Sequence, residues 1–360
     1  MRTLGKVTRL SMRRQVILCS LLVLLVASRA WAVDPSRHIS QYAHTAWRIQ
    51  DGFLGALPRA ITQTADGYLW IGTENGLVRF DGVRFVAWTP PSGTPLPSPT
   101  VVSLLGSRDG SLWIGTNSGL SRWKHGQLTS YPGRAWITSI VEDRGGRVWF
   151  TRSPFPAAID GALCQIVADG SHCYGKADGL PLPSAHSVVE DGEEGLWIGS
   201  DYGLAHWQNG SFALSSPRGP VFRQTFGSAT ALASSNDRSL WVGSLSGGIG
   251  LGQLVDGRLT PIITPELDGR TVRVNALLRD REQAVWVGTV QGLIRIHGGR
   301  VERFLAADGL SSDLVHGLYE DREGNLWTAT SKGIDCFRNL RVSTFSAREG
   351  FIPGDVDSLL

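Results

Sequence analysis

One apolar motif recurs seven times along the chain and limits what the chain can fold into. Its first copy runs from Tyr68 to Leu77 as YLWIGTENGL, and each later copy keeps the central tryptophan. The spacing of successive tryptophans varies from 36 residues (Trp113 to Trp149) to 48 residues (Trp149 to Trp197). A period of about forty residues indicates an array of supersecondary units that bury a common core. The seven anchors are Trp70, Trp113, Trp149, Trp197, Trp241, Trp286 and Trp327.

Each repeat reads as four short strands separated by turns. In the first repeat the strands cover residues 60–64, 68–73, 77–80 and 83–88, and Asn75-Gly76 is a strong hairpin signal. No repeat contains a helical period of ten residues, and the density of Gly and Asx turns disfavours the competing helical solenoid. The sequence therefore predicts an all-β fold, a seven-bladed β-propeller of four-stranded antiparallel blades.

A second regularity lies upstream of each anchor. Ten positions before the tryptophan, every repeat has a small residue, as the crowded centre of a propeller requires. These residues are Ala60, Ser103, Ser139, Ser187, Ala231, Ala276 and Gly317. The position before each of them is varied and mostly polar. It holds Arg59, Val102, Thr138, His186, Thr230, Asn275 and His316. We interpret the small residues as scaffold and their varied neighbours as the lining of a site.

The first 32 residues have the pattern of a secretory signal. A basic start precedes an eleven-residue apolar run, Val16 to Val26, and Ala30-Trp31-Ala32 supplies a cleavage site. The run is too short to span a bilayer of about 30 Å, although an uncleaved anchor is the alternative. Six of the 35 basic residues and none of the 32 acidic ones lie in this segment, so the remainder carries 29 − 32 = −3. This balance disfavours a nucleic-acid partner.

The sequence predicts three segments: a signal peptide at 1–32, the propeller at 33–345 and the start of a truncated further repeat at 346–360. The signal peptide predicts a periplasmic or other extracytoplasmic location, and no transmembrane stretch follows it in the sequence. Residues 46–53 resemble residues 344–351, and both look like the outer strand before a new blade. We expect the earlier copy, around Trp47 to Ile49, to pair with the blade of Trp327 and close the ring.

The third repeat differs most from the others. An insertion, Arg152 to Gly161, replaces the short turn after Trp149. If Asp169-Gly170 forms a two-residue hairpin, Cys164 and Cys173 lie diagonally on one face, where a disulfide can form in a secreted protein. A slip of one residue would place them on opposite faces. We expect Cys336 to be a buried thiol.

Several segments resemble the two-component regulator propeller repeat. They are DGLP at 178–181, VED at 189–191, GLWIGS at 195–200, DGL at 308–310 and EDREGNLW at 320–327. The resemblance covers about residues 44–360. It implies the extracytoplasmic sensor region of a bacterial receptor, several relatives of which sense carbohydrates. A full-length parent would be a histidine kinase or a diguanylate cyclase, but no catalytic segment of either kind can be recognised in this chain.

The first functional hypothesis is a periplasmic ligand-sensing propeller that is not itself an enzyme. We expect its small-molecule ligand, an oligosaccharide or a carboxylate, to bind where inner strands begin and second-to-third strand turns converge. The candidate ligand-binding residues are Arg59, His186, Asn275, His316, Tyr202, Gln291, Lys332 and Phe155. We predict no cofactor and no metal.

Two alternatives remain at this stage. Seven-bladed lyases that open cyclic peptides have similar repeats, and His186 and His316 hold equivalent positions, but no close-spaced metal-ligand pattern appears. The other alternative is a docking platform for a second propeller or a receptor dimer, which a large exposed apolar patch would favour.

Overall fold

The computed structural model describes most of the chain, and every structural statement below concerns the described residues. They are 37–52, 56–90, 93–133, 135–154, 161–168, 170–208, 210–214, 228–235, 239–246 and 248–339. Within them, seven four-stranded antiparallel sheets form the blades of a propeller. The predicted fold class is confirmed. The predicted signal peptide, the insertion residues 155–160 and the predicted extra repeat at 346–360 lie outside the described residues.

Each blade takes its four strands from one repeat, except that the first strand of the chain belongs to the last blade. Strand β1 is Ala43–Arg48. Blade 1 contains β2 (Pro58–Gln63), β3 (Leu69–Thr73), β4 (Gly76–Phe80) and β5 (Phe85–Trp88). Blade 2 contains β6 (Val101–Gly106), β7 (Leu112–Thr116), β8 (Gly119–Lys124) and β9 (Gln127–Pro132). Blade 3 contains β10 (Ala135–Glu142), β11 (Val148–Pro154), β12 (Leu163–Val167) and β13 (Gly170–Tyr174).

The remaining blades follow the same order. Blade 4 contains β14 (Ser187–Glu190), β15 (Leu196–Ser200), β16 (Gly203–Gln208) and β17 (Ser211–Leu214). Blade 5 contains β18 (Ala231–Ser234), β19 (Leu240–Gly243), β20 (Leu251–Val255) and β21 (Arg258–Pro261). A small hairpin follows, β22 (Ile263–Thr264) and β23 (Leu267–Asp268). Blade 6 contains β24 (Val274–Arg279), β25 (Val285–Thr289), β26 (Gly292–His297) and β27 (Arg300–Phe304). Blade 7 contains β28 (Val315–Glu320), β29 (Leu326–Thr330) and β30 (Gly333–Arg338).

Helical structure among the described residues is limited to short 3-10 turns. These are Ile39–Gln41, Ile49–Asp51, Lys176–Asp178, Gly269–Thr271 and Ala306–Asp308. In the described part of the chain, none of them has the length or the apolar character that a membrane-crossing helix needs.

Strand β1 closes the ring as the outer strand of blade 7. It pairs antiparallel with β30, with Ala43 opposite Arg338 and Arg48 opposite Gly333. Trp47 stacks on the anchor Trp327 with ring centroids 5.5 Å apart. The predicted closure by the segment around Trp47 is therefore confirmed. It removes an unpaired edge from the last blade, an edge that would otherwise be free to pair with another chain.

Five of the seven anchors are followed two positions later by a glycine, which the neighbouring blade explains. A Cβ on Gly72 would lie 2.5 Å from Val101 Cγ1, and one on Gly288 would lie 2.7 Å from Val315 Cγ1. Both valines begin the inner strand of the next blade. In the Trp-x-Gly pattern, the tryptophan therefore belongs to the core of one blade, and the glycine allows close packing against the next blade.

Arginines on the face opposite the inner-strand starts link several blades. Arg281, in the turn of blade 6, donates to the carbonyl oxygens of Asp321 and Arg322 in blade 7, at 2.8 and 2.9 Å. Arg322 in turn donates to the carbonyl oxygen of Ala65 in blade 1 at 2.9 Å. Arg108 and Arg144 make equivalent contacts to blades 3 and 4. These contacts join consecutive blades, and the contact of Arg322 joins the last blade to the first.

The two outer cysteines of blade 3 form a disulfide between β12 and β13. Cys164 lies directly opposite Cys173, and Val167 pairs with Gly170. The expected diagonal arrangement was therefore wrong, because Gly170 belongs to the strand and not to the turn. Cys336 is a buried free thiol, and burial raises its pKa to about 12.

Candidate functional site

A cavity of about 480 Å³ opens where the seven inner strands begin. The varied position of all seven repeats contributes to its wall. From these positions it is lined by Arg59, Val102, Thr138, His186, Thr230, Asn275 and His316. A narrower channel of about 280 Å³ is lined by the same residues together with the small ones that follow them. The structure thus brings together Arg59, His186, Asn275 and His316, four of the eight predicted site residues.

Blades 1 and 7 supply a basic corner of this cavity. The Arg59 guanidinium pairs with Glu74, with Nη2 2.6 Å from Oε1. Burial and the neighbouring Arg59 lower the pKa of His316, and Glu74 opposes this effect only in part. No described residue offers a hydrogen-bond partner to Arg59 Nε or His316 Nε2, although both atoms are buried. Each of these two nitrogen atoms can therefore form a further hydrogen bond.

Blade 4 supplies an acidic group on another side. Asp201 Oδ2 lies 2.8 Å from His186 Nε2 and accepts a hydrogen bond of 3.0 Å from Ser184 Oγ. The histidine nitrogen is close to the carboxylate but is not aligned for a hydrogen bond with it. The Asp201 side chain is 51% exposed, so it keeps acceptor capacity that faces the cavity.

Three of the polar residues in the wall also hold adjacent blades together. Asn275 Nδ2 donates to the carbonyl oxygen of Val315 at 2.8 Å. Thr138 Oγ1 donates to the carbonyl oxygen of Ala185 at 2.8 Å, and Thr230 makes the same kind of bond to blade 6. The expected division between small scaffold residues and varied lining residues is therefore too simple, because these polar side chains do both.

Three of the predicted site residues lie in turns and do not line the cavity. Tyr202, Gln291 and Lys332 are exposed at the second position of their turns and are absent from the lining. Asp201 and Leu245 line the cavity from the first position of their turns, and Ser246 lines it from the second. Phe155, the remaining candidate, lies outside the described residues.

The sequence reasoning also missed Trp136, Ser153 and Ser228 in the wall. Trp136 and Ser228 occupy the same repeat position, thirteen before the anchor, and Ser153 occupies the position four after the anchor that Asp201 also holds. Aligning every position of the repeat, rather than two of them, was the signal that could have found these residues. Within the described ranges, no three His, Cys, Asp or Glu side chains come together as a metal site.

The fold is a seven-bladed β-propeller closed by strand β1, with a cavity of mixed polar and apolar lining where the inner strands begin. Three segments, residues 52–75, 95–118 and 309–332, match the two component regulator propeller family. These segments are repeats of that family, as the sequence motifs indicate.

Solved structures of similar fold include extracellular sensor-system domains and an enzyme. The extracellular domain of a hybrid two component system from B. thetaiotaomicron gives a TM-score of 0.66 at 18% identity, over 82% of this chain and 42% of its own. That of a one component system from the same organism gives 0.65 at 18% identity, over 83% and 40%. Virginiamycin B lyase from Staphylococcus aureus gives 0.61 at 19% identity, over 83% of this chain and 100% of the lyase.

These identities show a common fold and nothing finer. The chain spans about two fifths of the length of the extracellular domains that it matches. No curated protein sequence matches it.

Proposed function

We propose that this propeller is the periplasmic ligand-sensing module of a bacterial two-component receptor whose output domain lies outside this chain. The observation that carries the proposal is the cavity at the inner-strand starts. Seven equivalent positions meet there, yet they hold Arg, Val, Thr, His, Thr, Asn and His. An asymmetric ligand in a pseudo-symmetric ring requires this kind of difference, and pockets with a few convergent polar groups are the usual binding sites.

The family repeats and the extracellular domains of similar fold support the location and the signalling role. The predicted signal peptide at residues 1–32 is consistent with export. The hydrogen-bonding groups of Arg59, Asp201 and Asn275 suit a polar small molecule such as an oligosaccharide. In this proposal the propeller binds its ligand without converting it.

Calorimetry against a panel of oligosaccharides tests this function. We expect a compound that binds the wild type to bind an Arg59→Ala/His316→Ala double variant about ten- to a hundredfold more weakly, because each lost buried hydrogen bond costs about 1–3 kcal/mol. A matched control, His125→Ala/Arg258→Ala, removes the same residue types from exposed positions outside the cavity wall. Equal binding by wild type and the Arg59/His316 variant would place the site elsewhere.

A lyase is the second candidate, because the similarity to virginiamycin B lyase covers the whole length of that enzyme. His186, His316 and Asp201 line one cavity and supply groups that can exchange protons. Incubating the protein with a streptogramin B and following ring opening by mass spectrometry tests this candidate. Turnover that His186→Ala abolishes would favour the lyase, and an unchanged antibiotic would favour the sensor.

A further inference from the structure

The cavity wall has an apolar part that the proposed ligand-sensing function does not explain. Trp136 of blade 3 and Leu245 of blade 5 line the cavity and are 39% and 40% exposed. Val102 of blade 2 lines it as well. Among the tryptophans in the described part of the chain, only Trp136 is exposed to this degree. An indole beside polar groups in a concave site is a typical ligand contact.

Local packing fixes the direction of Trp136. Its neighbours on β10, Ala135 and Ile137, are each only 2% exposed. Ile137 packs where a Cβ on Gly115 of blade 2 would lie. Since successive side chains of a strand alternate between faces, Trp136 is directed away from this packing and towards the mouth. It cannot turn inwards without displacing Ile137 from its contact with blade 2.

Polar groups lie on the blade next to this indole. Asp201 and His186 of blade 4 line the same cavity, and the Asp201 carboxylate is half exposed. A ligand that covers Trp136 therefore lies next to the blade that carries this acceptor. Arg59 and His316 belong to blades 1 and 7, so the wall as a whole combines an apolar surface with hydrogen-bonding groups.

We propose that the cavity binds a hydroxylated ring whose apolar face stacks on Trp136 and whose hydroxyl groups bond to the Asp201 carboxylate. The proposal rests on the proposed ligand-sensing function and names the contact that selects the ligand. Aromatic stacking favours ring systems over open chains, and the half-exposed carboxylate accepts hydrogen bonds from hydroxyl donors. A hydroxylated aromatic ring and the apolar face of a saccharide share this chemistry.

Two sets of probes distinguish these sources. Cellotriose, xylotriose and maltotriose represent saccharides, and 4-hydroxybenzoate and 3,4-dihydroxybenzoate represent aromatic rings. For each compound that binds the wild type, calorimetry is repeated with Trp136→Ala, Trp136→Phe and a control, Val86→Ala, which removes an apolar side chain of similar exposure from the outer strand of blade 1. Acrylamide quenching of tryptophan fluorescence provides a second readout.

We expect Trp136→Ala to weaken binding about tenfold, Trp136→Phe to retain most of the affinity because it keeps a ring, and Val86→Ala to change nothing. Bound ligand should protect the wild type from quenching and leave quenching of Trp136→Phe unchanged. Wild-type affinity in Trp136→Ala, with loss only in Arg59→Ala/His316→Ala, would overturn this inference and leave the proposed function standing. Failure of every compound to bind would overturn both.

Discussion

Buried carboxylates hold the anchor tryptophans of several blades. The indole Nε1 of Trp149 donates to Asp143 Oδ2 at 2.8 Å, and Asp143 also accepts from the backbone and the side chain of Arg147. Trp286 and Trp327 make the same bond, at 2.7 Å, to the aspartate six residues earlier. The turn before the second strand thus satisfies the one polar atom of a buried indole.

Replacing Asp143 by Ala should destabilise the propeller by about 1–3 kcal/mol, because the buried indole N–H of Trp149 loses its acceptor. Thermal unfolding of the purified variant measures the effect. Glu266→Ala, at an exposed position, is the control and should leave the melting temperature unchanged. An Asp143→Ala variant as stable as the control would contradict this account of the turn.

The carboxylate of Asp143 should also make the stability of the propeller depend on pH in the acid range. Burial raises the pKa of Asp143, but hydrogen bonds from Trp149 and Arg147 outweigh burial and leave the pKa below its ordinary value of 3.8. Because folding lowers the pKa, ionised Asp143 stabilises the folded state above pH 3.8. This stabilisation is lost as the pH falls through the pKa of Asp143 in the folded state. The difference in melting temperature between wild type and Asp143→Ala should therefore shrink in acid. A difference that shrinks instead at alkaline pH would contradict this.

The structure and the sequence-based prediction differ in which of two neighbouring turn residues belongs to the candidate site. Asp201 lines the cavity whereas Tyr202 does not. Once a ligand is known, Asp201→Ala should weaken its binding about tenfold and Tyr202→Ala should leave it unchanged. Calorimetry with both variants decides between the two positions, and the reverse result would restore the sequence-based choice.

The inner-strand positions could be predicted because a repeat fixes them relative to its tryptophan, as Arg59 and His316 show. The turn positions could not. Which of two consecutive residues, Asp201 or Tyr202, faces the mouth depends on the local twist of the hairpin, and a shift of one residue changes the face. Trp136 stands out only when the position thirteen before each anchor is aligned as well, where the other six copies have no aromatic residue.

At the scale of strands, the sequence predicted one feature of the β12–β13 hairpin correctly and another incorrectly. That Cys164 and Cys173 share a face follows from a two-residue turn, whereas a slip of one residue in the register would have placed them on opposite faces. Their direct opposition did not follow, because it depends on whether Gly170 pairs with Val167. Turn type sets the register of a hairpin, and a single Asp-Gly pair does not determine it.

A Cys164→Ser/Cys173→Ser variant should be destabilised by about 2–3 kcal/mol, the unfolded-state entropy of a loop of about ten residues. The melting temperature in the absence of reductant measures this. Dithiothreitol should lower the melting temperature of the wild type and leave that of the double variant unchanged. Equal melting temperatures without reductant would show that the bridge contributes nothing to stability.

Strand β1 was predictable because its residues resemble a later outer strand. Deleting residues 33–50 should lower the melting temperature sharply, since the edge of β30 and the face of Trp327 become exposed. A point variant in the adjacent turn, Lys332→Ala, leaves the closing strand intact and serves as the control. An unchanged melting temperature in the deletion variant would count against closure by β1.

At the scale of the molecule, the arginine contacts are unevenly distributed around the ring. Arg108, Arg144, Arg281 and Arg322 join blades 2 to 3, 3 to 4, 6 to 7 and 7 to 1. The equivalent residues of blades 4 and 5 are Gly and Asn. Blade 5 therefore lacks this arginine at both of its interfaces.

Blade 5 should consequently open more readily than the others. We expect backbone amides of β18 and β19 to exchange with deuterium faster than those of β28 and β29 in blade 7. Mass spectrometry of peptic fragments after timed labelling provides the comparison within one sample. Equal protection of the two blades would show that packing alone, without the arginines, sets their stability.

The pairing of β1 with β30 has a consequence for how the protein is made. His44 and Asp335, which meet across this pair, are 291 positions apart in the chain. A ribosome releases the first partner long before the second, so the ring cannot close until β30 has been made. Such distant contacts slow the last step of folding. Until that point β1 has no partner strand, and the seventh blade stays incomplete.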